Sequence, residues 1–119
     1  MTIPSGAIAW AQPLDPSDRA DYIVQMGSLL EEGEIIASAT VRPLPEAVAL
    51  GLVIIEDEDH GPWIANDTNI ELWFEIVEEL REAAIFKSTA LLPIEITIDT
   101  DADLPRRFQR TLVLKVVQL

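Results

Sequence analysis

Strict alternation is the clearest signal in the chain. Ile70, Leu72, Phe74 and Ile76 are interleaved with Glu71, Trp73 and Glu75, a period of two that predicts a strand with one face in the core and the other largely in water. The same period sets Ile94, Ile96 and Ile98 against Glu95, Thr97 and Asp99. It returns in Leu112, Leu114 and Val116 against Lys115, with Val113 and Val117 making the outer side of this third strand more apolar. Two further β-branched runs predict strands: residues 35–41, bounded by Gly33 and Pro43, and residues 49–55, closed by an acidic turn. Residues 62–65 supply another short strand. Residues 28–32, with Ser28 as cap and Gly33 as stop, read as a short helical turn, as do residues 77–84, rich in Glu, Leu, Arg and Ala. Several short strands separated by turn signals predict an all-β fold, an antiparallel β-sandwich with one or two helical turns.

The opening of the chain follows no period. Pro4, Gly6, Pro13 and Pro16 fall within residues 1–20, which read as an extended N-terminal arm ahead of a sandwich domain over residues 21–119. Ile8 and Trp10 are costly to leave in water, so the arm is expected to dock on its own domain or, less favourably, on a neighbouring subunit. No internal repeat of the solenoid or propeller kind is present.

Composition sharpens this picture. A chain of 119 residues suits one domain, and a hydrophobic fraction of 49% argues for a folded core despite a net charge of −13. The lack of cysteine excludes a disulfide framework, a thiolate nucleophile and cysteine-ligated zinc or iron–sulfur sites, and fits synthesis in the cytoplasm. Residues 1–11 lack a basic stretch, and no apolar run approaches the about 20 residues of a membrane span, so neither secretion by a signal peptide nor a membrane partner is expected. With 21 acidic against 8 basic side chains the surface repels phosphate, so no nucleic-acid partner is expected.

Three polar constellations carry candidate chemistry. Glu56, Asp57, Glu58 and Asp59 precede the lone His60 and Gly61. Carboxylates suit calcium or magnesium, but four consecutive acids on a looped chain diverge, and His60 has no partner nucleophile or second histidine; a solvated turn is the better reading. Asp99, Asp101 and Asp103 imitate the opening of an EF-hand loop. Leu104 stands where that loop requires glycine and Arg110 where it requires glutamate, so an aspartate-rich hairpin turn is expected instead. No metal and no other cofactor is expected. Arg106, Arg107 and Arg110, with Lys115, gather half of the basic residues near the C-terminal end. Local pairing with the neighbouring aspartates is the favoured reading, and a positive contact spot on an acidic molecule is the alternative. Trp63 and Trp73 are candidate rim aromatics able to anchor a partner, although aromatics in strand-rich chains more often belong to the core.

The stretch Asp21-Tyr22, then Leu29-Leu30-Glu31-Glu32-Gly33-Glu34-Ile35-Ile36 and on to Val41, resembles the opening of small phage tail proteins described as fiber-tail adaptors or immunoglobulin-like virion proteins. Leu72-Trp73-Phe74, Ile96-Thr97-Ile98-Asp99-Thr100 and residues 106–116 are similar to later strands and the arginine-containing turn of that family. The tryptophan usual in the first turn is absent, and Val77-Glu78-Glu79-Leu80-Arg81 replaces a glycine pair. The resemblance implies an immunoglobulin-like sandwich made in the host cytoplasm and carried in the virion tail. It further implies a non-enzymatic adaptor that forms a homo-oligomeric ring and contacts other tail proteins, with no small-molecule substrate. Arg106, Arg107, Arg110, Trp10 and Trp63 are the candidate interaction residues. Alternatives are a head-to-tail connector or minor capsid protein, a small metal-dependent or hydrolytic enzyme using the acidic loops, and an acidic cytosolic regulator that mimics nucleic acid.

Overall fold

Two sheets face each other across a single apolar layer in the computed structural model, which describes residues 8–119. The strands are β1 (Ile8–Ala9), β2 (Arg19–Gln25), β3 (Ile36–Pro43), β4 (Leu52–Ile54), β5 (Trp63–Ala65), β6 (Asn69–Ile76), β7 (Ala90–Thr100) and β8 (Arg107–Val116). One sheet has the order β1-β8-β7-β3, the other β2-β6-β4, with β5 also paired to β6. All named strand pairings are antiparallel except β1 with β8. Lettering β2, β3, β4, β6, β7 and β8 as B to G places B, E and D in one sheet and C, F and G in the other, the strand order of the immunoglobulin sandwich.

The three alternating segments are its centre. Ile70, Leu72, Phe74 and Ile76 of β6 point into the sandwich and meet Leu92, Ile94, Ile96 and Ile98 of β7 and Leu112, Leu114 and Val116 of β8, all essentially without exposure. Full burial of each such side chain stabilises by about 1.5–3 kcal/mol, which makes this layer the main source of stability. Val113, on the outer side of β8, is also buried, and Ala9 of β1 lies opposite it.

The helical content is divided more finely than the sequence implies. The expected turn near Ser28 is a 3-10 turn at Gly27–Leu29 with no side-chain cap, and the second expected turn is a 3-10 turn at Glu78–Leu80. A third 3-10 turn, Ala84–Lys87, inserts Phe86 into the core. Residues 49–55 are not one strand. A short helix α1 (Pro45–Ala49) buries Ala47, Gly51 turns the chain at a φ of +92°, and only Leu52–Ile54 pairs with β6.

The arm docks on its own domain wherever it is described; residues 1–7, with Pro4 and Gly6, lie outside the described residues. Leu14 is buried, donates its N–H to the Lys115 carbonyl at 2.8 Å and accepts from Val117 N–H at 3.0 Å. β2 opens at Arg19, two residues inside the stretch read from sequence as arm.

Candidate interaction surfaces

The outer faces of the two sheets differ in chemistry. On the β8-β7-β3 side the cross-strand rows are Arg42, Glu95 and Thr111; Thr40, Thr97 and Gln109; and Ser38, Asp99 and Arg107. Their charges are paired, Arg42 with Glu95 and Arg107 with Asp99, each at 2.8 Å. These exposed ion pairs contribute little, and a further row of the same face sets the exposed Leu91 beside Lys115. On the other sheet, Glu71 of β6 is flanked by Ile23 of β2 and Trp63 of β5 in one row, and the next row sets Asp21 beside Trp73. Ile23 is 49% exposed and Trp63 39%. Arg19 and Glu75 close the far end with an ion pair at 2.6 Å.

The three candidate arginines have three different fates. Arg106 is a clamp between end loops: its Nε and one Nη bond the Glu34 carboxylate, the same Nη donates to the Leu29 carbonyl at 3.0 Å, and its guanidinium lies 5.0 Å from the Phe108 ring centre. Hydrogen bonds from Arg106, then from the Thr100 hydroxyl and the Glu31 backbone N–H, hold the Glu34 carboxyl down at about 2. Asp101 strengthens the same junction, accepting from Ile35 N–H at 2.9 Å and donating its own N–H to the Ile35 carbonyl at 3.1 Å. Arg107 pairs across the hairpin with Asp99, as the local reading expects. Arg110 is exposed, donates to the Gln109 carbonyl at 2.9 Å and meets no carboxylate among the described residues. The three aspartates of the hairpin are therefore divided between an ion pair and a loop stitch, with Asp103 exposed in the turn.

The acidic run folds around one of its own members. The Asp57 carboxylate accepts the backbone N–H groups of Asp59 and His60 at 2.9 and 2.7 Å and the His60 ring nitrogen Nδ1 at 2.8 Å. Burial works to raise the Asp57 carboxyl, and the hydrogen bonds from the His60 ring and the two backbone N–H groups outweigh it, so the group ends below its ordinary value. The His60 ring packs edge-on against Trp73, 5.1 Å between centres. Among the described residues no group of three or more acidic or histidine side chains converges as a metal cluster would.

Trp10 is a bracket rather than a free anchor. Its ring packs at an angle against Tyr22, 5.3 Å between centres, and edge-on against Phe74 at 5.5 Å, and its indole N–H donates to the Ile23 carbonyl at 3.0 Å, tying the segment after β1 to β2. Sequence reading missed Ile23 on the outer face and Glu34 as the partner of Arg106. An apolar residue in the outward phase of β2 is the signal that marks Ile23; nothing local marks Glu34. Neither a scan against protein-family models nor a search of curated proteins finds a match.

Proposed function

We propose that the chain is a structural, protein-binding module of a phage or phage-derived tail, an adaptor that docks neighbouring virion proteins against the outer face of β2, β6 and β5. The observation that carries the binding role is the pair of exposed apolar side chains, Ile23 and Trp63, that flank Glu71 across neighbouring strands of the β2-β6-β5 face. Exposed aromatics are the usual anchors of protein interfaces. The tail assignment rests on the short strand segments that resemble fiber-tail adaptors. In a ring, a modest contact repeated by symmetry gives high avidity, so a small patch per chain suffices.

Immunogold electron microscopy of particles produced from the source genome tests the assignment. Label on the tail is expected, and particles without label would overturn it. Trp63→Glu should abolish incorporation while the isolated chain stays folded, with a thermal midpoint lowered by the second acid set opposite Glu71. Thr97→Glu, on the opposite face, should incorporate normally. Equal incorporation of both variants would remove the β2-β6-β5 face from the contact.

A further inference from the structure

Where the two sheets part, between β2 and β8, lies an open groove of about 400 Å³. Trp10, Ile23, Met26, Leu29 and Leu112 wall it, and Arg110 stands on its rim. β2 is the terminal strand of its sheet, and β1 covers β8 only at Leu112 and Val113, so among the described residues no strand roofs the gap. The groove is already shaped: the indole of Trp10 is locked by its bond to the Ile23 carbonyl, and Leu29 is held by the Arg106 bond to its carbonyl.

We propose that this groove binds an amphipathic monocarboxylate, with the hydrocarbon body between the two sheets and the carboxylate on the Arg110 guanidinium. An apolar cleft of this size with one convergent charge has the form of a small-ligand site. The charge is unusual for this molecule. Acids outnumber bases 21 to 8, yet among the described residues Arg110 forms no ion pair; it donates to the Gln109 carbonyl and its guanidinium lies 5.7 Å from the Phe108 ring centre. Its planar donors match a carboxylate bidentately. A single negative charge is also what the site tolerates, because a dianion meets stronger repulsion from the −13 chain. A cationic amphiphile would satisfy the acidic surface in general but is repelled at this rim. A second copy of the chain would bring a further −13 with it, which argues against it as the occupant. The proposal does not rest on the tail assignment, although the groove shares Ile23 with the proposed docking face.

Calorimetric titration of the full chain with octanoate, octanol and octylammonium tests it. Octanoate should give saturable one-to-one binding, octanol should bind at least about tenfold more weakly, and octylammonium should give no saturable heat. Arg110→Gln should reduce octanoate to the level of octanol, and Arg110→Lys should recover part of the difference. The Trp10 indole resonance should move with octanoate. Absence of saturable octanoate binding, equal binding of octylammonium, or an unchanged affinity in Arg110→Gln would overturn the proposal. Sedimentation showing a second copy that octanoate displaces from the groove would overturn it as well.

Discussion

Arg106 directs its guanidinium to acceptors on another loop, so a residue that looks like a free surface charge in the sequence acts as an internal strut. Its partner Glu34 is 72 residues away in the chain, and no local pattern connects the two. The pairing has a pH consequence with a definite sign. The Glu34 carboxyl is held at about 2 in the folded chain against an ordinary 4.5, so its contribution is present in full above pH 4.5 and is lost as pH falls through about 2. Glu34→Gln removes that linkage. Thermal midpoints followed from about pH 6 to about pH 2 should show a shallower acid decline for Glu34→Gln than for the wild type, with the variant already less stable near neutrality. Parallel profiles for the two proteins would mean that Arg106 stabilises the loops by some route other than this carboxylate.

At the scale of elements, legibility followed periodicity. In β6, β7 and β8 every residue read from the sequence as inward is buried, and Leu92 of β7 and Val113 of β8 are buried besides. β2 escaped because Ile23 lies in its outward phase, which turns the alternation of Tyr22 and Val24 into a continuous apolar run behind a proline-rich lead-in. α1 escaped because five residues are too few to display a helical period, even with Pro45 at its start. Trp63 was visible as an aromatic, but its face is set by the register with Glu71, which is a tertiary fact. The well-read strand β6 gives the firmest stability prediction. Phe74 is fully buried and its ring lies 5.5 Å from both Trp10 and Tyr22, so Phe74→Ala opens a cavity and should cost about 3–5 kcal/mol in urea unfolding. Part of that loss comes from the arm, because Trp10 loses the ring that holds it. Limited proteolysis should therefore cut the segment after β1 faster in Phe74→Ala than in wild type, and an unchanged cutting rate would show that the arm is held without the Phe74 ring, by the Trp10 bond to Ile23 and its backbone bonds to β8.

At the scale of the whole molecule, charge and apolar surface oppose each other in any ring. Copies carrying −13 repel, and the sequence offered the cluster of Arg106, Arg107 and Arg110 as the offset. The structure engages Arg106 with Glu34 and Arg107 with Asp99, which leaves Arg110 alone to meet an acid on a neighbour. One exposed charge pair gives at most a small attraction, less than the repulsion it would have to offset. For copies to meet in the proposed ring, the driving force then has to come from the same apolar face that is offered to neighbouring proteins, and salt becomes the discriminating variable. Raising sodium chloride from about 20 mM to about 500 mM shortens the screening length from roughly 20 Å to roughly 4 Å, which removes repulsion between copies while leaving burial of Ile23 and Trp63 intact. Sedimentation equilibrium should therefore show association strengthening with salt. Trp63→Glu should abolish it at every salt concentration, and Arg110→Gln should leave it nearly unchanged. Association that weakens with salt and disappears in Arg110→Gln would reverse the assignment, placing the contact between copies on the arginine and removing the exposed face of β2, β6 and β5 from the proposed ring.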